Sequence, residues 1–140
     1  MRIVISSDPC LLHILRGVVR FCAGEAGFPE SDAESLAMAI NEAAANVIRH
    51  TYKDCPNKKL ALEILSFPDR MDFVLQDWGP KVNHQQVRPR PLDEVRPGGL
   101  GTFFIRTFVD GWKYEDDCAE GNRLRMVKNI PRKVSTHDES

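Results

Sequence analysis

The sequence predicts a two-layer α/β (α+β) sandwich, in which a mixed, mostly antiparallel sheet is covered on one face by helices. Two observations support this class: two amphipathic helical segments occupy the first third of the chain, and two alternating strands joined by a tight turn follow them. The chain has 140 residues, 42% of them hydrophobic, which suits one domain with its own core. We expect residues 1–130 to form this domain and residues 131–140 to be a polar tail.

The N-terminal segment predicts one strand and one helix. Ile3 and Ile5 alternate with polar neighbours, which indicates a short strand over roughly residues 2–6. Asp8 followed by Pro9 is typical of a helix N-terminus, because the carboxylate caps free backbone amides and proline suits the first helical position. We expect this helix to end near residues 24–27, where glycine recurs.

A second helix is predicted from a capping box at Ser31 and Glu34 to about Tyr52. Its apolar stripe is about 120° wide and marks the face that should pack on the sheet. The stripe consists of Ala33, Leu36, Ala37, Ile40, Ala44, Val47 and Ile48.

Three polar side chains recur at four-residue spacing on the far side of this helix, namely Glu42, Asn46 and His50. Each step is about 40°, so a regular α-helix presents them in one row. A carboxamide oxygen is a suitable ligand for Mg²⁺, which prefers oxygen donors and keeps several waters. A carboxylate one turn away can orient or deprotonate a nucleophile. The row therefore suits a Mg²⁺–phosphate site, and a solvated polar face is the alternative that the row alone leaves open.

Two antiparallel strands follow, joined by a turn at residues 68–70, and the second strand runs directly into Asp77. A carboxylate at the end of an apolar strand can accept a hydrogen bond from the exocyclic amine of adenine. Gly79 would let the backbone pass close to the base. The alternative is an ordinary strand-to-turn Asp with a turn glycine. The alternating core residues are Leu60, Leu62 and Ile64 in the first strand and Met71, Phe73 and Leu75 in the second.

The apolar pattern is lost from residue 79 to residue 99, and a stretch of this length without secondary structure is usually functional or mobile. It ends in Gly98-Gly99-Leu100-Gly101, at the start of a third helix predicted near residues 100–111. Consecutive glycines free backbone amides to face an anion, and the helix N-terminus adds a favourable dipole. A flexible connection is the alternative. Residues 112–114 and 123–127 are typical of a closing hairpin.

Composition excludes several classes of partner and location. The net charge is −1, which favours neither nucleic acid nor an anionic membrane. No apolar run approaches the ~18 residues of a membrane span, and the N-terminus lacks a signal-peptide pattern. The four cysteines are scattered without a C-x-x-C pair, so we expect reduced thiols and a cytoplasmic protein.

The order of these motifs resembles the N, G1 and G2 boxes of the GHKL ATPase superfamily, over residues 3 to about 127. The chain has Glu-x3-Asn-x3-His on a helix, Asp-x-Gly after a strand, and Gly-Gly-x-Gly before a helix. Within the superfamily, the stretches NEAAANVIRHTY and GGLGTFFIRTFVDGWKY are similar to anti-sigma factor serine-protein kinases. One departure is clear: the fuller G1 pattern is Asp-x-Gly-x-Gly, whereas this chain continues Pro80-Lys81 after Gly79.

The resemblance implies a Bergerat-type fold that binds ATP and Mg²⁺. It implies Glu42 as the catalytic base or orienting carboxylate, Asn46 as the metal ligand and Asp77 as the adenine contact. The cofactor-binding residues that it implies are Asn46, His50, Asp77, Gly79, Gly98, Gly99, Leu100, Gly101 and Thr102.

The resemblance also implies a function. It implies a homodimeric kinase that phosphorylates a serine of an antagonist (anti-anti-sigma) protein and sequesters a sigma factor. A nucleotide-dependent protein-binding regulatory module without kinase activity is the alternative, and a nucleotide-free interaction domain is a third possibility.

Overall fold

The computed structural model describes residues 1–81, 108–115 and 119–131. These residues form two α-helices and five strands, with a 3₁₀ turn before the first helix and a π-helical turn after the second. The elements in chain order are β1 (Arg2–Ser6), the 3₁₀ turn (Pro9–Leu11), α1 (Leu12–Ala26), α2 (Glu30–Asn46), the π turn (Val47–Thr51), β2 (Lys59–Ser66), β3 (Arg70–Asp77), β4 (Gly111–Tyr114) and β5 (Asn122–Asn129).

The five strands form one sheet in the order β1-β2-β3-β5-β4. Every strand pair in the described part of the chain is antiparallel, so the sheet is not mixed there. The helices pack on one another, and α2 packs on β3, the central strand. The predicted two-layer α/β sandwich is confirmed, as are the predicted first strand and the closing hairpin of β4 and β5.

The core lies between the helices and the face of the sheet that alternates as predicted. Ala33, Leu36, Ala37, Ile40, Ala44 and Ile48 of the predicted stripe are buried, and the buried side of α2 also includes Ala39 and Ala43. On the other face of the sheet, Asp72 is buried but paired, with Arg70 Nε at 3.0 Å and Arg125 Nη1 at 2.7 Å. A buried carboxylate is tolerated there because two guanidinium groups satisfy it.

Helix α1 begins and ends as the sequence predicts. An Asp8 carboxylate oxygen accepts a hydrogen bond from the backbone N–H of Cys10 at 2.9 Å, and Pro9 opens the 3₁₀ turn. The helix ends at Gly27, whose φ of 106° lies in the left-handed region that glycine adopts without steric cost.

The predicted capping box of α2 is wrong. The helix begins at Glu30 after Pro29, so Ser31 lies inside the first turn and no side chain caps the N-terminus. Glu34 instead pairs with Arg20 of α1 at 3.0 Å on the surface. Glu30 and Asp32 lie in the first turn, where their negative charges interact favourably with the positive end of the helix dipole. This interaction stabilises the helix start without a capping hydroxyl.

The predicted continuous helix to Tyr52 is also wrong in its last turn. The α-helix ends at Asn46, and Val47–Thr51 form a π-helical turn that closes with Tyr52 N–H donating to Val47 O at 2.9 Å. Lys53 and Asp54 follow with φ of 53° and 62°, which is left-handed backbone that non-glycine residues adopt at a cost. Thr51 and Tyr52, at this irregular end, contact Trp78 and Gly79 in the turn after β3.

Several sequence predictions fall outside the described residues: the glycine run at 98–101, most of the third helix, most of the loop between residues 79 and 99, and the tail after residue 131. None of the described helices is long and apolar enough to cross a membrane. Cys10, Cys22 and Cys55 are free thiols in the part of the chain that the structure describes.

Strands β3 and β5 approach each other very closely where β5 begins. Gly121 has a φ of 68°, and a β-carbon added there would lie 1.8 Å from the backbone oxygen of Asp77. By contrast, a β-carbon added at Gly17 in α1 would meet nothing within 4 Å. The two positions therefore offer the same substitution in opposite environments.

Gly121→Ala should destabilise the protein by about 2–5 kcal/mol, because it combines backbone overlap with a left-handed φ. Gly17→Ala, the matched control, should stabilise it by about 0.5–1 kcal/mol through helix propensity. Urea unfolding of both variants measures the two effects. A Gly121→Ala protein as stable as the wild type would contradict the close approach of β3 and β5.

Candidate functional site

Asp77 is a buried carboxylate at the C-terminal end of the central strand, with 4% of its surface exposed. It pairs in register with Asn122 and lies on the helix-facing side of the sheet, like Phe73 and Leu75. Its Oδ1 accepts hydrogen bonds from Gly79 N–H and from Asn122 Nδ2, both at 2.9 Å. Oδ2 accepts no hydrogen bond from the described residues. The carboxylate is therefore fixed through one oxygen and presents the other.

Burial raises the pKa of Asp77 above its ordinary value. The hydrogen bonds from Asn122 and Gly79 and the positive charge of Lys81 all act in the opposite direction but do not cancel the desolvation. A buried carboxyl group whose charged form is disfavoured by desolvation is typical of a functional site.

Asn122 is a site residue that the sequence analysis missed. It is buried to 3% exposure, and its Nδ2 donates both to Asp77 and to the carbonyl of Pro80 at 2.9 Å. One amide group thus orients the carboxylate and also holds the turn in which proline departs from the glycine pattern. The only signal in the sequence is the Gly121-Asn122 pair directly before an alternating strand, which is not specific enough to identify it.

The polar row on α2 is only partly realised. Glu42 and Asn46 are half-buried and lie one regular turn apart, as predicted. His50 is exposed and belongs to the π turn. His50 follows Asn46 across a π turn rather than a regular α-helical turn, and a common direction for all three side chains stays a prediction.

The carboxamide of Asn46 already faces a cation. Arg49 Nη2 donates a hydrogen bond to Asn46 Oδ1 at 2.8 Å, across the start of the π turn. The same oxygen would ligate a metal ion, so Arg49 must release it when a divalent cation binds there. No group of three or more acidic, histidine or cysteine side chains that could hold a metal occurs among the described residues. This donor set fits Mg²⁺, which binds proteins through one or two oxygens and completes its shell with water and phosphate.

The end of α2 contacts the turn after β3. A β-carbon on Gly79 would lie 2.2 Å from the Thr51 methyl group and 3.5 Å from the Tyr52 ring, so only glycine fits at this position. The Tyr52 hydroxyl accepts a hydrogen bond from Trp78 N–H at 2.8 Å and donates to the carbonyl of Lys59. Asn46 precedes Thr51 by five residues, about 7 Å along a helix axis. The turn that follows α2 therefore contacts the turn that follows β3.

The structure thus places Asp77 and Gly79 in one turn against Thr51 and Tyr52, which follow the helix that carries Glu42 and Asn46, and His50 is exposed beside them. The other predicted site residues, Gly98, Gly99, Leu100, Gly101 and Thr102, lie outside the described residues. Chemically, the buried Asp77 acceptor suits a polar planar group with a hydrogen-bond donor, and the half-buried Glu42 and Asn46 suit an anionic, metal-binding group.

Comparison with known families assigns this arrangement to a class. Residues 5–128 match the model of the histidine kinase-like ATPase domain, and the chain belongs to that family.

Similar proteins carry a more specific name. Serine-protein kinase RsbW of Bacillus pumilus is 26% identical over 144 aligned positions, which cover 96% of this chain and 88% of the relative. RsbW of Bacillus subtilis is 23% identical, with the same coverage of 96% and 88%. RsbW of Halalkalibacterium halodurans is 28% identical and covers 85% of this chain and 76% of the relative.

A solved structure shows the same fold. The histidine kinase domain of the Erythrobacter litoralis EL346 blue-light activated histidine kinase superposes with a TM-score of 0.53 at 15% identity. The match covers 91% of this chain and 61% of that chain. The fold of a GHKL-type ATPase, which the motif order implies, is therefore confirmed.

The raised pKa of Asp77 makes stability depend on pH. The folded state favours the protonated carboxyl, so this contribution is fully present below the ordinary value of 3.8 and is lost as the pH rises through the raised folded value. In an Asp77→Asn variant the amide oxygen can still accept from Gly79 and Asn122, and the side chain stays neutral. We expect the variant to become progressively more stable than the wild type as the pH rises through this range, with a constant difference at neutral pH.

Urea unfolding at a series of pH values from 4 to 8 measures that difference. Parallel stability curves for the two proteins would contradict the desolvation of Asp77. A variant that is less stable than the wild type at neutral pH would show that the charge itself holds the turn.

Proposed function

We propose that this protein binds MgATP and transfers the γ-phosphoryl group to a serine hydroxyl of a small antagonist protein, an anti-anti-sigma factor. We further propose that it sequesters a sigma factor, so that it acts as a switch in transcription. The observation that carries the proposal is the buried Asp77 carboxylate, whose Oδ1 is fixed by Gly79 and Asn122 while Oδ2 accepts no hydrogen bond from the described residues. Membership of the ATPase domain family and relatives named serine-protein kinases support the same chemistry.

Adenine recognition is assigned to the end of β3. The open Oδ2 of Asp77 would accept a hydrogen bond from the exocyclic amine, while Asn122 and Gly79 hold Oδ1. The position of the base beside Gly79 follows from the absence of a side chain at that turn. The phosphates are assigned to Gly99 and Gly101, as the resemblance implies. His50, Gly98, Leu100 and Thr102 are assigned to the cofactor site without a particular contact.

Phosphoryl transfer is assigned to the polar pair on α2. The serine oxygen attacks the γ-phosphorus, the bond from that phosphorus to the β–γ bridging oxygen breaks, and ADP leaves. Glu42 orients the serine hydroxyl and takes its proton. Asn46 Oδ1 would hold Mg²⁺ once Arg49 releases it. Bound Mg²⁺ neutralises charge on the phosphates, and the remaining work in such reactions is largely positioning.

The partners follow from the same proposal. They are the antagonist protein, a sigma factor and a second copy of this chain, in the cytoplasm. Neither nucleic acid nor a membrane is a proposed partner, since 19 basic and 20 acidic residues leave no excess of positive charge.

A second candidate is a nucleotide-dependent regulatory module that binds its partners without phosphorylating them. Two observations favour it: Arg49 occupies the oxygen of the proposed metal ligand, and Asn122 fixes the carbonyl of Pro80 in the altered turn. The kinase is preferred because Glu42 is available one turn from Asn46, which a purely binding role does not require.

ATP should bind more tightly than GTP in the presence of Mg²⁺. Guanine presents a carbonyl where adenine presents an amine, so two acceptors would face each other at Asp77. An unmatched buried polar pair costs about 1–3 kcal/mol, or about 5- to 150-fold in affinity. Asp77→Asn should weaken ATP binding by a similar factor. Titration calorimetry measures each affinity, and equal values for ATP and GTP in the wild type would exclude this role for Asp77.

Glu42→Gln should separate catalysis from binding. The variant should keep its MgATP affinity within a few-fold, because the amide retains size and polarity. It should transfer phosphate to the antagonist serine about 10²–10⁴ times more slowly, the usual contribution of a positioned general base. Asn46→Ala should weaken both MgATP binding and transfer, since it removes a metal ligand. Single-turnover transfer of labelled phosphate and calorimetry give the two quantities.

Glu34→Gln is the matched control for Glu42→Gln, because it makes the same change on the same helix in an exposed pair with Arg20. It should transfer phosphate at the wild-type rate. A Glu42→Gln protein that is equally active would remove Glu42 from the mechanism. A wild type that binds MgATP but phosphorylates no antagonist would favour the regulatory module.

A further inference from the structure

The ladder between β2 and β3 stops at the site in an unusual way. Leu60 and Asp77 are the last paired residues, so the register makes Lys59 and Trp78 the next pair. The hydroxyl of Tyr52 lies between their backbone groups: it donates to Lys59 O and accepts from Trp78 N–H at 2.8 Å. The side chains of the same pair also meet, with Lys59 Nζ 3.9 Å from the centre of the Trp78 ring. A side-chain hydroxyl has thus replaced the next backbone rung of the sheet.

We propose that Tyr52 is a positioning residue of the nucleotide site, whose hydroxyl holds β2 and β3 apart and so sets the turn that presents the Asp77 carboxylate. This inference rests on the proposed function, because it assigns the selectivity of that site for adenine to a residue that does not touch the nucleotide.

Two contacts and the burial of Tyr52 make the turn depend on this hydroxyl. Trp78 N–H, which Tyr52 holds, lies directly between Asp77 and the Gly79 N–H that bonds to Asp77 Oδ1. The neighbouring residue Thr51 packs against Gly79, so the end of the helix contacts both residues of the turn. The Tyr52 side chain is 6% exposed, and water has little access to the gap that the hydroxyl fills.

The donor role of the hydroxyl persists over the physiological range. Burial raises the pKa of Tyr52 above its ordinary value, and the nearby charge of Asp77 raises it further, although the hydrogen bond from Trp78 lowers it. Tyr52 therefore keeps its proton at neutral pH and donates to Lys59 continuously.

Removing the hydroxyl leaves a buried backbone donor and acceptor facing each other across the strands. The strands then close to form the direct Lys59–Trp78 hydrogen bond, since buried backbone groups seldom remain unpaired. That closure draws Trp78 toward β2 and turns the Asp77 carboxylate away from the adenine amine. A merely structural loss elsewhere in the core would lower stability without changing base selectivity.

The test is Tyr52→Phe, which keeps the ring and removes only the hydroxyl. The expected result is ATP affinity lowered by about 3- to 10-fold, the equivalent of one hydrogen bond, with GTP affinity nearly unchanged. The preference for ATP over GTP should fall by the same factor. Ile64→Val is the matched control: it removes one buried methyl group about 13 Å along β2 from the site and should leave the preference unchanged.

Hydrogen exchange of the Trp78 amide provides a readout that needs no nucleotide. The amide should be protected in the wild type and in Ile64→Val, and should exchange with altered protection in Tyr52→Phe. A Trp78 amide that exchanges freely in the folded wild type would overturn the inference even if Tyr52→Phe failed to fold. Tyr52→Phe with wild-type affinities for both nucleotides would overturn the inference and leave the proposed function standing. A wild type that binds no MgATP would overturn both.

Discussion

The buried carboxylate of Asp77 determines much of the architecture around it. A charge at 4% exposure is costly, and the protein offsets that cost with two hydrogen bonds to one oxygen and the charge of Lys81 nearby. Each of these groups requires its own support. The Gly79 amide needs a tight turn, and Asn122 must start β5 opposite the end of β3. Gly121 must lack a side chain, because the backbone there touches Asp77.

The same carboxylate links the fold to the proposed chemistry. The pKa of Asp77 is raised because the cost of burying its charged form outweighs the stabilisation from the local hydrogen bonds. A bound adenine amine would supply a further donor to the open oxygen. Under the proposed function, Asp77 would be a polar group that is held in place before the ligand binds, which is how a preorganised site gains selectivity.

Regular periodicity predicts the regular parts of this structure. The alternation of Ile3 and Ile5 predicts β1, and the alternation from Leu60 to Leu75 predicts the hairpin of β2 and β3, because the apolar side chains of one face pack into the core. Asp77 at the strand end and the Glu42–Asn46 pair are likewise visible in the sequence as polar residues at fixed positions in an apolar pattern. The helix start at Glu30 is not, since Ser31 offers an equally good local signal and only tertiary packing decides between them.

The irregular parts depend on contacts between distant segments, which no local pattern reports. The π turn at Val47–Thr51 lies where Thr51 and Tyr52 meet the turn after β3, and His50 belongs to this π turn rather than to the α-helix. Asn122 is 45 residues from Asp77 in the chain, so its role depends on the register of β3 and β5. The residues that the proposed function uses, Glu42, Asn46 and Asp77, therefore stand out in the sequence, whereas Asn122 and Tyr52, which contact the end of β3, do not.

A sheet that also serves as a binding site must stop its own ladder, because a fully paired strand end has no free groups for a ligand. Here the ladder of β2 and β3 ends at the Leu60–Asp77 pair, although the register would place Lys59 and Trp78 next. The Tyr52 hydroxyl satisfies the two backbone groups that the separation leaves. The separation thus costs little hydrogen-bonding energy, since both groups remain paired. Tyr52 reaches that position at the end of an irregular helix. Lys53 and Asp54, directly after it, adopt a left-handed backbone that is energetically unfavourable for residues other than glycine. Strain at the end of α2 and order at the end of β3 are in this sense two parts of one arrangement.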